Sequence, residues 1–258
     1  MRILTRTTAE RILNQDLKIL DAGMSRVTEF KTLLHKQGVL LLNLDKPPST
    51  HELIEFAQEW GSPIEELNPR VKDHVSQRYV LNIRNSLSST KDFNLQPFSG
   101  DFITLHTESS ASPDSLKPNY LMLYCKDSCS NNSAYTLLRP VLDVLKNLSE
   151  ATRGILSQLQ YDYPGTSCIL EGTHLAFRDF YLQSMPWRYL GKDIRNPEII
   201  NQAIEELVFN MYRQDPFYLK WQKNLLLVID NRRWMHGRTV LARSDKTNTR
   251  HLMRIKMR

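Results

Sequence analysis

Residues 224–238 read NLLLVIDNRRWMHGR, and this stretch carries the main features on which the fold prediction depends. Asn224–Ile229 is predicted to be a strand, because every residue after Asn224 is apolar and the run has strand length. The polar segment from Asp230 to Arg233 predicts a turn. His236 follows this turn, so we expect its imidazole at the mouth of a barrel to which the strand contributes.

The rest of the chain shows a similar alternation of short apolar runs and polar connections. Further strands are predicted at residues 38–44, 79–83, 102–105, 119–125, 134–138, 173–177 and 251–257. Helices are predicted at residues 26–37, from about 50 to 60, at about 141–158 and at about 197–213. Many short strands with few helical crossovers favour an antiparallel sandwich or barrel, so we predict a mainly β (α+β) protein with flanking helices.

The bulk properties predict one large domain. The chain has 258 residues, of which 41% are hydrophobic, and no Pro/Gly-rich linker divides it. We predict a single domain over residues 1–258, with a helical and strand lead-in at about 1–65 and the barrel core at about 79–258. No segment approaches the roughly 20 apolar residues of a membrane-spanning helix. Residues 1–20 lack the apolar region of a signal peptide, so a cytoplasmic protein without a membrane partner is expected.

Charge and cysteine content exclude several classes of protein. The formal net charge is +6, but the basic residues are spread along the chain and form no nucleic-acid motif. This pattern predicts a small anionic ligand rather than DNA or RNA. Cys125, Cys129 and Cys168 cannot all pair with one another, and no second Cys/His pair at zinc-finger spacing accompanies them. They are predicted to be reduced structural thiols.

Residues 105–108, LHTE, and the distant His236 supply a set of metal ligands. On a strand, residues i and i+2 project from the same face, so one metal ion can contact both His106 and Glu108. The fold has to bring His236 to this pair. Two imidazoles and one carboxylate form the facial triad that binds non-haem Fe(II) and leaves positions open for O2 and a chelating co-substrate. A His-x-Glu sequence that arises by chance is the alternative interpretation.

The last strand predicts an anchor for an anionic co-substrate. Residues alternate along it, which places Arg250, Leu252, Arg254 and Lys256 on one face. The opposite face is largely apolar and should pack against helices, so Arg250 and Arg254 would point into the barrel. Buried arginines require anions, since an unpaired buried charge is very costly. A guanidinium binds a carboxylate with two parallel hydrogen bonds, which suits the far end of a dicarboxylic 2-oxo acid. A solvated basic edge strand is the alternative.

From about Gly38 to its C-terminus the chain resembles the Fe(II)/2-oxoglutarate-dependent oxygenases of the taurine dioxygenase and clavaminate synthase group. The matching blocks are LHTE at 105–108, LVIDNRRWMHGRT at 227–239 and RHLMR at 250–254. The resemblance implies a double-stranded β-helix, that is, a jelly-roll barrel with flanking helices. It also implies that Fe(II), 2-oxoglutarate and O2 are required.

The same resemblance assigns roles to particular residues. It implies that His106, Glu108 and His236 bind iron, and that Arg250 binds the C5 carboxylate of 2-oxoglutarate. Thr136 matches the hydroxyl residue that assists this arginine, although its segment, SAYT at 133–136, lacks the glycines of the family pattern. The presence of a carboxylate ligand argues against a halogenase, which needs that coordination position for halide.

Substrate recognition is the least specific part of the resemblance. Arg254 matches a position near the substrate anion, and Asp179 lies in rough register with an acidic residue that binds a substrate amine or guanidine. A surface salt bridge is the alternative for Asp179. The leading interpretation is hydroxylation of a C–H bond in an amino acid or an amino-acid-derived natural-product intermediate, free or carrier-bound. A catabolic enzyme acting on a sulfonate or betaine, a non-catalytic binding protein, and a homodimeric state stay open.

Overall fold

The computed structural model describes residues 19–21, 27–87, 89–128, 134–178, 186–191, 197–241 and 250–258. Within these ranges the protein is mainly β with flanking helices. Its strands are β1 (Ile19–Asp21), β2 (Val39–Asn43), β3 (Val75–Ser76), β4 (Val80–Arg84), β5 (Ile103–His106), β6 (Tyr120–Asp127), β7 (Tyr135–Pro140), β8 (Leu159–Tyr161), β9 (Leu170–Glu171), β10 (His174–Leu175), β11 (Trp187–Tyr189), β12 (Phe217–Lys220), β13 (Leu225–Asp230), β14 (Trp234–Arg238) and β15 (His251–Met257).

Most of these strands belong to two sheets. The larger sheet has seven strands in the order β1-β2-β13-β6-β15-β4-β3, and the smaller has four in the order β12-β7-β14-β5. All pairs in both sheets are antiparallel except β1 with β2. Side chains of the two sheets meet in one apolar cluster, in which Leu123 and Leu227 of the larger sheet pack with Leu138 and Leu219 of the smaller. The predicted antiparallel arrangement is therefore present.

In the part of the chain that the structure describes, five helices flank the sheets: α1 (Val27–Gln37), α2 (Thr50–Gln58), α3 (Val141–Leu145), α4 (Glu150–Leu156) and α5 (Pro197–Tyr212). Three short 3-10 helices occupy Pro69–His74, Gln96–Phe98 and Asp114–Leu116. A capping box starts α2, in which the Ser49 hydroxyl accepts from the Glu52 amide at 3.2 Å and the Glu52 carboxylate accepts from the Ser49 amide at 2.7 Å. None of the helices in the described ranges is long and apolar enough to cross a membrane.

The segment predicted as one helix at 141–158 forms two. Ser149 interrupts it, because its hydroxyl accepts from the Thr152 amide at 3.2 Å and thereby starts α4 as a new helix. Glu206 of α5 accepts a hydrogen bond from the Ser149 amide at 2.6 Å and holds the break in place. This interruption depends on a contact with a distant helix, so periodicity along the segment did not reveal it.

The alternation predicted for the last strand is observed in β15. Met253, Ile255 and Met257 pack with residues of α1 and α2 in one apolar cluster. Arg250 precedes the strand and faces the opposite side, where Leu252 joins the cluster between the two sheets. The apolar face of β15 therefore fixes which side chains point into the space between the two sheets.

The strand β14 was not predicted as a strand. Its residues Trp234–Arg238 include His236, Gly237 and Arg238, which form no apolar run, yet every residue of the strand is buried. Its place between β7 and β5 buries both of its faces and pairs both of its edges. Tertiary pairing, rather than local propensity, makes this segment a strand.

We expect His251 to make folding stability depend on pH. Burial and the neighbouring Arg84 and Lys126 lower the pKa of His251 to about 4, from 6.5. Between these values the unfolded chain binds a proton that the folded chain does not, so stability is full above pH 6.5 and falls as the pH drops toward 4. Urea unfolding at pH 7 and pH 5 should show a loss from this group of roughly 1–2 kcal/mol.

The matched variants are His251→Gln and, as a control, His174→Gln at an exposed position. The glutamine at position 251 should reduce the difference between the two pH values, whereas the control should leave it as in wild type. An identical pH dependence in all three proteins would show that His251 does not contribute.

Candidate metal centre

The structure brings His106, Glu108 and His236 together. One ligand atom from each side chain lies within 4.8 Å of the other two. The two imidazole rings have centroids 4.2 Å apart, and Nε2 of His236 lies 3.5 Å from Oε2 of Glu108. Each residue is at most 9% exposed. These three side chains therefore form a compact buried set of two nitrogen ligands and one oxygen ligand.

Strand pairing places the two histidines side by side. His236 of β14 stands directly opposite His106 of β5 in the antiparallel register. Two residues further along β14, Arg238 pairs with Ile103, which lies three residues before His106. β5 therefore carries one extra residue and forms a β-bulge. A Cβ atom on Gly237 would lie 2.7 Å from the Ile103 carbonyl oxygen, which explains why this position has no side chain. The bulge and the glycine together bring the two metal-site strands close.

The bulge also fixes the orientation of the His106 ring. Nδ1 of His106 donates to the carbonyl oxygen of Thr104 at 2.8 Å, so Nε2 carries no proton and is free to bind a metal ion. Burial, together with the neighbouring His236 and Arg178, holds the pKa of His106 well below its usual value. The ring is therefore neutral at physiological pH, which is the state that metal binding requires.

Glu108 lies beyond the end of its strand, which corrects the prediction that it shares a strand face with His106. β5 ends at His106 because the Thr107 amide donates to the Phe177 carbonyl at 3.0 Å rather than to a sheet neighbour. The amide of Glu108 then donates to Oδ1 of Asn231 at 2.6 Å. Nδ2 of Asn231 returns a hydrogen bond to the Glu108 carbonyl at 3.2 Å. The Asn231 side chain therefore holds the Glu108 backbone at both of its polar groups.

Neighbouring basic side chains stabilise the charge on Glu108. Burial opposes ionisation, but Arg254, His236 and Lys256 outweigh it and hold the pKa of Glu108 well below its usual value. Nη1 of Arg254 donates to Oε1 of Glu108 at 3.2 Å. Since Oε1 bonds Arg254, Oε2 remains on the side of His236. The carboxylate is thus ionised and oriented toward the two imidazoles.

This set of residues fits Fe(II). Two imidazoles and one carboxylate on one side of an ion match the ligand set of non-haem Fe(II) oxygenases. Within the described ranges, Nδ1 of His236 is buried without a hydrogen-bond partner, which is an unsatisfied polar atom at the site. The ligand chemistry and the burial are those expected of a site built for a cation.

A cavity of about 600 Å³ opens onto the three residues and also contains the predicted co-substrate residues. Arg250 lines it and is 1% exposed, and burial lowers its pKa to about 10, so it is charged at neutral pH. Thr136 lines the same cavity, and its Oγ1 accepts a hydrogen bond from Nε1 of Trp221 at 2.9 Å. Because the indole occupies Thr136 as an acceptor, the hydroxyl proton can be donated to a ligand.

Of the two residues predicted to contact the substrate, the structure describes only Arg254. Arg254 lines the cavity, but its guanidinium bonds two carboxylates, Oε1 of Glu108 and Oε2 of Glu66, the latter at 3.0 Å. Its role toward a substrate stays a prediction. Asp179 lies outside the described residues.

Sequence reasoning missed four residues that support the site. Asn231 lies within the quoted DNRRW segment, so the motif itself could have indicated it. Trp221 and Glu66 gave no local signal, because each reaches the site through the tertiary fold. Arg238 is buried and donates to the carbonyl groups of Pro97, Ser99 and Asp101 at 3.0, 2.6 and 2.8 Å, which holds the segment that leads into β5.

Solved structures resemble this fold over most of its length. An asparagine oxygenase matches with a TM-score of 0.68 and 18% identity, over 91% of this chain and 77% of that one. The non-heme iron oxygenase OrfP, solved with Fe and alpha-ketoglutaric acid, gives 0.65 and 17%, over 91% and 78%. PvcB from Pseudomonas aeruginosa gives 0.62 and 17%, over 93% and 84%. No curated protein matches the sequence significantly.

A mainly β core with a buried pair of histidines and a carboxylate defines the class of non-haem iron oxygenases. The family described as taurine catabolism dioxygenase TauD, TfdA family, matches this chain over residues 4–186. The chain belongs to this family and is an Fe(II)/2-oxoglutarate-dependent dioxygenase. The matched range includes His106 and Glu108 but ends before His236 and Arg250, whose placement rests on the geometry described above.

We expect Asn231→Ala to weaken metal binding although none of the three candidate ligand residues is changed. The change removes the acceptor for the Glu108 amide and the donor to the Glu108 carbonyl, so the carboxylate loses its fixed position. Loss of an outer partner of this kind typically lowers metal affinity by about 10- to 100-fold. Anaerobic titration with Fe(II) measures this affinity. Asn147→Ala, which removes a hydrogen bond to Asp143 on a surface helix, is the control, and equal affinities in both variants would contradict the role of Asn231.

Proposed function

We propose that His106, Glu108 and His236 are the iron ligands of this dioxygenase. The observation that carries the proposal is their convergence within 4.8 Å at a buried position. When bound there, Fe(II) with 2-oxoglutarate supplies the O2 activation that oxidises a C–H bond. The protein contributes a neutral His106, an ionised Glu108 and a fixed separation between the two histidine-bearing strands.

We propose that Arg250 and Thr136 bind the C5 carboxylate of 2-oxoglutarate. Arg250 is a fully buried cation on the cavity wall, where a carboxylate would offset the cost of burying its charge. Trp221 orients the Thr136 hydroxyl so that it can donate to the same carboxylate. A guanidinium and a hydroxyl donor on the wall of the same cavity suit one end of a dicarboxylic acid.

The proposed architecture is a double-stranded β-helix that forms a single domain. The support is the pairing pattern, in which a seven-stranded and a four-stranded antiparallel sheet share one apolar cluster. The lead-in strand β2 pairs with β13 of the larger sheet, so the N-terminal part joins the same sheet as the metal-site core. The cavity opens between these sheets and is lined by side chains from both, for example Leu121 and Thr136.

We propose that the substrate is an amino acid or an amino-acid-derived metabolite, free or carrier-bound, and that the outcome is hydroxylation. The structurally similar asparagine oxygenase was solved with 3-hydroxyasparagine and succinate, and OrfP with 3-hydroxyarginine and succinate. The cavity of this chain contains both carboxylates and cations, which suits a substrate that carries both charges. A cytoplasmic setting is proposed with it, and the free thiols of Cys125 and Cys168 are consistent with a reducing compartment.

We expect the iron and 2-oxoglutarate complex to show a weak charge-transfer band in the visible region under anaerobic conditions. His236→Ala should abolish the band, because one of the three ligands is lost. His51→Ala removes an exposed histidine paired with Glu55 and serves as the control, which should keep the band. If the wild-type protein binds iron but shows no band with 2-oxoglutarate, the proposed ligand set is refuted.

We expect Arg250→Ala to weaken 2-oxoglutarate binding by about 2–4 kcal/mol, as for removal of one side of a buried charge pair. Titration of 2-oxoglutarate into the anaerobic Fe(II) protein, followed by the same band, measures the change. Arg188→Ala removes an exposed arginine that pairs with Asp162 and should have no effect. An unchanged affinity in Arg250→Ala would rule out this residue as the co-substrate anchor.

A further inference from the structure

A cluster of charged side chains stands beside the candidate iron ligands on the wall of the same cavity. Its members are Glu66, Arg254 and Lys256, and we call it the Glu66 cluster. Oε2 of Glu66 lies 3.0 Å from Nη2 of Arg254 and 3.0 Å from Nζ of Lys256. Through Nη1, Arg254 also reaches Glu108 at 3.2 Å. Glu66 is therefore separated from a candidate iron ligand by a single side chain.

Glu66 is an acidic residue whose side chain is largely buried. Its side chain is 9% exposed, and a buried carboxylate is rare unless it is paired. Burial raises its pKa, but Lys256 and Arg254 outweigh this effect and lower the pKa below its usual value. Glu66 is therefore ionised at neutral pH, and it lies within reach of a ligand that enters the cavity.

The cluster leaves one acceptor and several donors available for such a ligand. Within the described residues, the ion pairs of the Glu66 carboxylate both fall on Oε2, which leaves Oε1 as an acceptor. The ammonium of Lys256 has three N–H donors, and its ion pair with Glu66 uses one of them. Arg254, by contrast, has committed one terminal nitrogen to each of two carboxylates.

The charges balance within the ion-pair chain formed by Glu108, Arg254, Glu66 and Lys256. Glu66 and Glu108 supply two negative charges, and Arg254 and Lys256 supply two positive charges. A ligand group with a single net charge would disturb this balance in a buried site, where unpaired charge is costly. A group that carries an ammonium and a carboxylate next to each other preserves it.

We propose that the Glu66 cluster recognises the ammonium and carboxylate of a free α-amino acid headgroup. The substrate ammonium donates to Oε1 of Glu66, and its carboxylate accepts from Lys256. Arg254 is a positioning residue that holds Glu66 and Glu108 relative to each other. This assignment gives Lys256 the anion-binding role that the sequence resemblance gave to Arg254, and it rests on the proposed function.

The proposal has a direct consequence for selectivity. An N-acylated amino acid has lost the positive charge and most of the N–H donors that Glu66 requires. A betaine carries a positive charge but no N–H group, so it cannot donate to Oε1. Both kinds of compound should bind much more weakly than the free amino acid, although each retains a carboxylate.

The experiment uses the anaerobic protein loaded with Fe(II) and 2-oxoglutarate, in which an entering substrate perturbs the charge-transfer band. The probes are the standard L-amino acids, without cysteine and histidine, which chelate iron themselves, and the N-acetyl derivative of each. We expect at least one free amino acid to shift the wild-type band and its N-acetyl derivative to fail at the same concentration.

Glu66→Gln tests the residue itself, because it removes the charge and keeps the shape. This variant should retain the band but require about tenfold or more amino acid for the shift, because the ammonium loses a charged acceptor and keeps only a neutral one. Glu59→Gln, which removes a carboxylate paired with Lys31 on the surface, should respond like wild type. The double variant Glu66→Gln/Lys256→Gln leaves the net charge of the cluster unchanged and should also retain the band and lose the response.

Each other outcome overturns the proposal. An equal response in wild type and Glu66→Gln, or an equal response to free and N-acetylated amino acids, would show that Glu66 does not recognise the ammonium. A wild-type band that no amino acid shifts overturns the Glu66 assignment and leaves the iron and 2-oxoglutarate site intact. Absence of the wild-type band overturns the proposed function as well, which distinguishes the two failures.

Discussion

The site depends on the antiparallel pairing of β5 with β14. This pairing sets His106 directly opposite His236, although the two residues are far apart in the sequence. The bulge in β5 interrupts the regular strand ladder next to this pair. The Thr104 carbonyl accepts a hydrogen bond from Nδ1 of His106, which fixes the tautomer of the ring. The absence of a side chain at Gly237 is what permits the close approach of the two strands. This strand pair therefore sets the geometry of the two imidazoles, whereas Asn231 holds Glu108.

Charge balance is the second constraint, because the cavity buries carboxylates and cations near the candidate metal. Glu108 remains ionised despite its burial since Arg254 bonds it directly. Arg254 is in turn paired with Glu66, and Glu66 with Lys256. A chain of alternating charges satisfies each buried group, whereas removal of one member would leave its neighbour unpaired at considerable cost. The same chain links the candidate metal ligands to the part of the cavity where a substrate would lie.

Family membership and geometry contribute different parts of the functional conclusion. The family match spans residues 4–186 and so covers His106 and Glu108. His236 and Arg250 lie beyond it, and their involvement rests on the distances and burial in the fold. The similar solved structures share less than one fifth of their residues with this chain, so they establish the fold and leave the substrate to be argued from the cavity.

The sequence by itself determined the chemical types at the site and the strands with a clear pattern. The alternation in β15 separated Arg250 from the apolar face, because alternation is a pattern of neighbouring residues. The residue types of His106, Glu108 and His236 indicated iron, because ligand chemistry belongs to the side chains themselves. Only the tertiary structure decided that β5 ends before Glu108, that Asn231 holds the Glu108 backbone, and that Glu66 joins the cavity. These features depend on hydrogen bonds and ion pairs between residues far apart in the chain, which no periodicity along the sequence can encode.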